Sequence, residues 1–495
     1  MKKDTIAAIA TAMSDSGIGI IRVSGDEAVE IVDKIYQNPQ GAKILKNYES
    51  HTIHYGFIVE EDGTFVDEVM ISVMLAPRSY TMEDTVEINC HGGVLMMQKI
   101  LSLVMKAGAR IAEPGEFTKR AFLNGRIDLS KAEAVMDIIH AKNEFALQSS
   151  VKQLKGSVSD KIKELREKIL YEIAFIESAL DDPEHISLEG YDERLMHESE
   201  DILVELYKLS DSASDGKMLK EGIHTVIVGK PNVGKSSLLN ILAGKERAIV
   251  TDVAGTTRDT LEETIVLGNI TLNMIDTAGI RNTEDIVEKI GVEKARKISK
   301  EADLILYVMD ASLPLDESDM DIIKMIVDKK AVILLNKSDL EEWVNEQSVV
   351  DAMKDVTSMD LKLTQEDDCL NSEGTKDILP YQKIEGLANT VYIMKTSTKE
   401  ACGIDILTSL IKSMFFHGQI TYNDEVYITN IRHKEAIFDA AKSMAEVKKS
   451  LKMNMPEDFY SIDLMSAYAS LGLIIGEEVE DDLVNEIFSK FCMGK

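Results

Sequence analysis

The sequence predicts a multidomain protein with an N-terminal α+β domain, a discontinuous all-α helical domain, and an α/β domain inserted into the helical one. Three observations carry this prediction. The chain has 495 residues, too many for one hydrophobic core. Residues 221–415 alternate strand-like and helical runs, as a doubly wound parallel sheet requires. The segments on either side, 119–220 and 416–495, are amphipathic and helical. The ends of α/β domains often lie close together, so an insertion at that place costs little.

The elements follow in order. Residues 1–118 form the α+β domain, with strand-like runs at 5–9, 19–23, 51–59, 69–75 and 85–89. Helical periodicity covers 26–36 and 94–107. Ser130-Lys-Ala-Glu133 reads as a capping box ahead of an apolar run at 134–139. Long amphipathic helices are expected at 143–180 and 193–215. In the α/β domain, strands are expected at 224–228, 270–275, 331–335 and 390–394, with a helix at 237–243. The gap between the last two strands is long for such a fold. It contains Glu366-Asp-Asp-Cys-Leu-Asn-Ser-Glu-Gly, a composition expected to be exposed and mobile. Helices return at 432–452, 460–474 and 478–491.

Composition narrows the setting. The net charge is −31, which by itself opposes direct nucleic-acid binding, because phosphate contacts need local cation density. Any role on RNA must then rest on local basic patches or on a partner. Cys90, Cys369, Cys402 and Cys492 are scattered without metal-type spacing, as in a reduced cytoplasm. No apolar run reaches the roughly 18 residues of a membrane span. The first residues lack a long apolar stretch with a cleavage site, so a cytoplasmic location is expected.

Residues 229–236 read Gly-Lys-Pro-Asn-Val-Gly-Lys-Ser, matching the phosphate-cradling pattern G-x-x-x-x-G-K-[ST]. A β-branched apolar strand precedes them and a helix follows. Backbone N–H groups and the helix dipole then point at bound phosphate. Lys235 can reach the β- and γ-phosphates, and the Ser236 hydroxyl can ligate Mg²⁺. Asn232, Val233, Gly234 and Ser237 complete that side of the pocket. Three further segments appear in the order a GTPase requires. Gly255-Thr-Thr-Arg-Asp259 offers Thr257 to Mg²⁺, with Thr256 beside it. In Asp276-Thr277-Ala278-Gly279, the carboxylate can hold the Mg²⁺ shell and the Gly279 N–H can sense the γ-phosphate. Asn336-Lys337-Ser-Asp339 ends a strand, and its aspartate can accept from guanine N1–H and the exocyclic amine, a pair adenine lacks. Ser397-Thr398-Lys399 stands where GTPases usually show Ser-Ala-Lys. The expected nucleotide is GTP. Ras-type GTPases place a glutamine directly after Asp-Thr-Ala-Gly; here that residue is Ile280, which cannot orient water. The charged side chains after it, Arg281, Glu284, Asp285, Glu288 and Lys289, are candidates to replace it, or else solvated helix charges.

These motifs, together with Glu113-Pro-Gly-Glu-Phe-Thr-Lys-Arg-Ala-Phe-Leu-Asn-Gly-Arg-Ile-Asp-Leu129 and the terminal Cys492-Met-Gly-Lys495, resemble the MnmE (TrmE) family of tRNA modification GTPases along the whole chain. The terminal tetrapeptide departs from the family's usual Cys-[Ile/Leu]-Gly-Lys only at Met493. The resemblance implies a K⁺-dependent GTPase activated by dimerisation of its G domains. Asn232 and the loop residues Thr251, Val253 and Thr256 would ligate K⁺, with Asp252, Ala254 and Gly255 lining the same loop. Glu288 matches the family's catalytic glutamate, which positions the attacking water.

The resemblance also implies a homodimer that joins an FAD-containing flavoprotein, MnmG (GidA), in a heterotetramer. Together they would add an aminomethyl or carboxymethylaminomethyl group to C5 of the wobble uridine (U34) of certain tRNAs. The one-carbon unit would come from 5,10-methylene- or 5-formyl-tetrahydrofolate, bound by the N-terminal domain. Arg22, Glu87, Arg126 and Lys495 fall on the family's folate positions. A carboxylate suits the donor edge of a pterin, and cations suit the glutamate tail or formyl oxygen. Cys492 is either a catalytic thiol or a small buried apolar residue. The competing reading is a GTPase of the Era or EngA type acting as an RNA-binding ribosome-assembly factor. Such proteins carry a basic KH-type module, whereas Gly476-Glu-Glu-Val-Glu-Asp-Asp482 is acidic. A membrane-remodelling GTPase would need a lipid-binding face that this charge opposes.

Overall fold

A computed structural model of the chain describes residues 4–182, 184–185, 187, 189–245, 263–267, 270–275, 302–367, 378–416, 426–477, 479, 481–491 and 494. They fall into two compact units, one made of Met1–His140, Ser150–Lys208 and Arg432–Lys495, the other of Ala141–Ser149 and Leu209–Ile431. The fold is multidomain: α+β, discontinuous all-α, and an inserted α/β domain.

The first unit begins with a seven-stranded sheet. Its strands are β1 (Ile6–Ile9), β2 (Ser16–Ser24), β3 (Tyr36–Gln37), β4 (Thr52–Val59), β5 (Phe65–Met74), β6 (Thr85–Gly92) and β7 (Arg110–Ile111), in the order β3-β4-β5-β6-β2-β1-β7. Only β1 and β7 pair in parallel. Alternating strand residues such as Ile21, Val23, Ile71, Val86 and Ile88 point into one core. The helices Ala28–Ile35 and Val94–Ala107 close it with Ile31, Val32, Met97, Ile100 and Val104. The β2–β6 register sets Arg22 opposite Glu87.

The helical part differs from expectation in two places. The run expected at 143–180 is two helices, Glu144–Lys155 and Ser157–Asp181. Gly156 separates them at φ 117°, a left-handed conformation that glycine adopts without a Cβ clash. The capping box at Ser130 and Glu133 is also overturned. The helix Leu129–His140 starts two residues earlier, and Asp128 caps it, accepting from Lys131 N at 3.0 Å and from Ser130 Oγ at 2.7 Å. An aspartate is as good a cap as a serine, and this one comes first in the chain. Glu133 is thereby freed for a tertiary role. Its carboxylate is buried and bonds Arg432 Nη2 at 2.8 Å and His433 Nε2 at 2.7 Å, at the start of the helix Ile431–Lys452. Burial pushes the Glu133 carboxyl up, but the charges and hydrogen bonds of His433 and Arg432 outweigh it and hold it at about 2. Arg166 of the helix Ser157–Asp181 donates to Tyr468 O, lies 3.9 Å from the Tyr468 ring centroid, and pairs with Glu477, tying the helix Glu457–Ile475 to it.

The second unit holds an eight-stranded sheet. Its strands are β8 (Ile223–Val228), β9 (Glu263–Leu267), β10 (Ile270–Met274), β11 (Leu304–Asp310), β12 (Ala331–Asn336), β13 (Lys362–Asp367), β14 (Ile378–Glu385) and β15 (Val391–Lys395). The order is β13-β14-β15-β12-β11-β8-β10-β9. The middle five, β10, β8, β11, β12 and β15, are parallel; β9 and the β13–β14 pair run antiparallel at the edges. β11 and β12 are buried along their whole length, as strands covered on both faces should be. The long stretch after residue 340 is structured on both sides of its acidic centre. A helix, Glu346–Thr357, capped by Asn345, leads into the β13–β14 hairpin, which extends the parallel sheet beyond β15. Residues 368–374 of the segment expected to be mobile lie outside the described residues.

Candidate functional site

The phosphate loop connects β8 to the helix Lys235–Lys245. Its backbone is shaped by three left-handed residues: Gly229 at φ 150°, Asn232 at 62° and Gly234 at 106°. Two of them must be glycine for want of space. A Cβ on Gly229 would lie 2.3 Å from Val308 O, and one on Gly234 would lie 2.3 Å from Asn336 Nδ2. Lys235 curls over the loop and donates to Gly229 O at 2.8 Å and Lys230 O at 2.5 Å. Burial pushes its ammonium below the usual lysine range. A phosphate offers this ammonium a charge-assisted acceptor in place of two neutral carbonyls. Lys230 anchors the loop's outer side through Asp316 Oδ2 at 3.0 Å and Asp319 Oδ2 at 2.7 Å. Those two aspartates also form the capping box of the helix Glu317–Ile326.

At the base end, Asn336 joins three segments. It is wholly buried, and its Nδ2 donates to Val233 O of the phosphate loop at 2.7 Å and to Thr398 Oγ1 at 3.1 Å. Its Oδ1 accepts from Thr398 N at 2.9 Å. Thr398, the departure from Ser-Ala-Lys, therefore adds a side-chain acceptor to the same amide. Ser397 Oγ donates to Asp339 Oδ1 at 2.7 Å, which holds that carboxyl below the usual range. Lys399 Nζ stands 3.9 Å from Asp339 Oδ2. Lys337 sits at φ 64° and reaches Asp310 Oδ2 at 2.6 Å. The structure thus brings together Val233, Gly234, Lys235, Asn336, Asp339, Ser397, Thr398 and Lys399, with Asn232, Ser236 and Ser237 in the same loop and helix start. Residues 251–257 and 276–279 and Glu288 lie outside the described residues.

A second constellation lies in the other unit. Arg22 Nε donates to Glu87 Oε1 at 2.8 Å across the β2–β6 pair. Its Nη1 donates to Gly494 O at 3.0 Å, so the C-terminal tail docks on the N-terminal sheet of its own chain. Gly494 has φ 90°, and a Cβ there would lie 2.4 Å from Ile9 O. Only glycine fits that approach. The Arg22 guanidinium carbon lies 5.8 Å from the Tyr80 ring centroid and 5.6 Å from that of Phe117; Arg126 lies 4.8 Å from Tyr80. Arg22, Glu87 and Arg126 are therefore neighbours, although 104 positions separate the first and last in sequence (126 − 22). Cys492 and Lys495 lie outside the described residues.

Several of these residues escaped the sequence reading. Lys230, Asp310, Asp316 and Asp319 act through tertiary ion pairs that no motif encodes. Tyr80 and Phe117 carry no local signal either. The register of β2 against β6 and the chain path near residue 117 bring them to Arg22. Among the described residues, no helix is long and apolar enough to cross a membrane.

Comparisons with known proteins agree with this geometry. A family model described as the MnmE helical domain matches residues 129–492, and one described as the GTP-binding protein TrmE N-terminus matches residues 5–126. A tRNA modification GTPase MnmE from Lachnoclostridium phytofermentans is 54% identical over 495 residues, covering 100% of both chains. Its counterpart in Acetivibrio thermocellus is 46% identical over 497 residues, again covering 100% of each, and that of Alkaliphilus oremlandii is 44% identical over 493 residues, covering 99% of each. With a helical domain interrupted by a phosphate-loop domain, and with this identity along its full length, the chain belongs to the MnmE (TrmE) family of tRNA modification GTPases.

Proposed function

We propose that this chain is the GTP-hydrolysing subunit of an enzyme that modifies C5 of the wobble uridine of certain tRNAs. It works with an FAD-containing flavoprotein partner of the MnmG type and installs an aminomethyl or carboxymethylaminomethyl group. A tetrahydrofolate, in the 5,10-methylene or 5-formyl form, supplies the one-carbon unit from the N-terminal domain. The observation that carries this reading is the meeting of Arg22, Glu87, Arg126 and the Gly494 carbonyl at one place. A carboxylate flanked by two guanidinium groups offers both acceptor and donors to a ligand with an amine-bearing ring and carboxylates. The same arginine that holds Glu87 also holds the tail that carries Cys492 and Lys495.

In the nucleotide domain, Lys235 and the loop amides bind the phosphates, while Asp339, braced by Ser397, takes the guanine edge. Asn336 keeps the base end and the phosphate end in register. The donor set suits the expected ions. Ser236 presents a hydroxyl at the helix start for Mg²⁺, and Asn232 offers an amide oxygen from a loop held open by its left-handed backbone, for K⁺. Thr257, for Mg²⁺, and Thr251, Val253 and Thr256, for K⁺, would complete the two sets. When bound, the two cations supply positive charge beside phosphates that gain negative charge during hydrolysis. Ile280 offers no hydrogen bond to water, so Glu288 takes the water-positioning role. The chain acts in the cytoplasm as a homodimer through residues 1–118, and its G domains close on each other to activate hydrolysis.

Reconstitution with the partner flavoprotein, GTP, K⁺, a tetrahydrofolate and bulk tRNA tests the whole reading. The expected outcome is a new C5-substituted uridine by nucleoside mass spectrometry, dependent on both proteins. Unchanged nucleosides, with GTP hydrolysis intact, would favour the ribosome-assembly alternative.

A further inference from the structure

The N-terminal site contains an aromatic side chain that the proposed chemistry does not use. Tyr80 lies in the loop between β5 and β6 and is partly buried over a small cluster of Ile6, Ala8, Ala112 and Phe117. Its hydroxyl meets Thr118 Oγ1 at 2.9 Å. The loop around it is braced on both sides: Thr81 Oγ1 meets Ser24 Oγ at 2.7 Å, and Asn124 Nδ2 donates to Thr81 O at 2.7 Å. The ring is therefore held from the sheet and from the segment that follows the helix Glu116–Leu123. Two guanidinium groups gather on this fixed ring, Arg126 at 4.8 Å and Arg22 at 5.8 Å.

We propose that Tyr80 is a positioning residue for the tetrahydrofolate-class ligand: its ring holds Arg22 and Arg126 together beside Glu87, so that one carboxylate and two cations are presented in a fixed spacing. This inference rests on the folate reading given above. The physical need is plain. Two like charges that share a site repel, and long arginine side chains lose rotamer entropy when ordered. Glu87 neutralises Arg22, and the Arg126 guanidinium lies over the Tyr80 ring. The face of an aromatic ring attracts a guanidinium through its quadrupole, and more strongly when the pair is shielded from water. It does so without consuming the N–H groups that a ligand needs. An ion pair in the same place would hold the arginine as well but would occupy those donors.

The test is binding of 5-formyltetrahydrofolate to the full-length chain, measured by calorimetry beside GTP hydrolysis. Wild type and Tyr80→Phe are expected to bind alike, because the ring remains. Tyr80→Leu is expected to weaken binding about tenfold, at the scale of one cation–π contact, while GTP turnover stays at the wild-type rate. Leucine that binds within twofold of wild type overturns the proposal. Should Tyr80→Leu fail to fold, Tyr80→pentafluorophenylalanine keeps the ring's shape and reverses its charge distribution. A loss of affinity relative to Tyr80→Phe then supports the proposal, and equal affinity overturns it. If wild type itself does not bind the folate, the folate reading falls and takes this role with it. Binding by wild type and Tyr80→Leu alike rejects the role of Tyr80 alone.

Discussion

Asn336 and Arg22 each join three segments of chain at a candidate site, by different means. Asn336 is a neutral amide, wholly buried, and all its partners are backbone groups or a hydroxyl within one compact unit. Arg22 is a cation on an interior strand of a sheet, and it holds the Glu87 carboxylate and, from the far end of the chain, the Gly494 carbonyl. The amide site has nothing to neutralise and can be fully satisfied before a nucleotide arrives. The arginine site keeps charged groups partly exposed, and charge-assisted hydrogen bonds are its source of strength. The first is thus a rigid frame for a ligand of fixed shape. The second is a charged cradle that includes the Gly494 carbonyl, so a ligand bound there, as proposed above, would act directly on that segment.

The largest effect is expected from Asn336→Ala. It strips the Val233 carbonyl and Thr398 of their shared partner, at about 3 kcal/mol for a buried network of this kind, or about a hundredfold in GTP affinity. Nucleotide titration checks this; a loss under fivefold would mean the frame does not depend on the amide. Asp339→Asn addresses the same frame from its ligand side. Replacing an acceptor by a mixed donor–acceptor is expected to shift preference from GTP toward XTP by about one to two orders of magnitude. Unchanged selectivity in a competition assay removes Asp339 from the base-reading role.

Arg22→Ala tests the charged cradle. Loss of its hydrogen bonds to Glu87 and Gly494 is expected to weaken 5-formyltetrahydrofolate binding by about tenfold or more and to abolish tRNA modification, while GTP affinity is unchanged. If limited carboxypeptidase digestion removes the tail no faster than in wild type, Gly494 is held by something else.

Acid tests the helical part of the first unit. The Glu133 carboxyl is held at about 2 by His433 and Arg432 against an ordinary value near 4.5. A depressed folded-state value gives stability that is full above pH 4.5 and is lost as the pH falls toward 2. The unit containing the helices Leu129–His140 and Ile431–Lys452 is therefore expected to lose stability through that window. Glu133→Gln should remove this component of the pH dependence, read by denaturant midpoints at pH 7 and pH 3. The smallest effect is expected from Thr398→Ala. It restores the usual Ser-Ala-Lys pattern and deletes one neutral hydrogen bond, while Thr398 N still reaches Asn336 Oδ1. The cost is about 1 kcal/mol or less, and GTP affinity should change by no more than about fivefold.

The nucleotide domain was legible because its chemistry is local. A strand, a glycine-rich turn and a helix start are consecutive in the chain, so residues 229–236 declare both their geometry and their ligand. The base selection proposed for Asn336 and Asp339 likewise follows one strand end. The helical periodicity of the flanking segments was equally readable. The break at Gly156 and the cap at Asp128 were missed because periodicity continues across a single left-handed residue, and because Ser130 and Asp128 are equally good caps on paper.

What composition and pattern determined, then, was the presence of three kinds of domain and the phosphate loop. Only the tertiary structure decided that residues 341–390 add a hairpin to the sheet, that Glu133 pairs with Arg432, and that Gly494 returns to Arg22, whose guanidinium lies beside the Tyr80 ring. The physical reason is the range of the interactions. Propensity, capping and loop geometry act over a few residues and leave a mark in the sequence. Ion pairs, cation–π contacts and backbone approaches between residues 22, 87, 126 and 494 depend on strand register and on chain path, which no local pattern records.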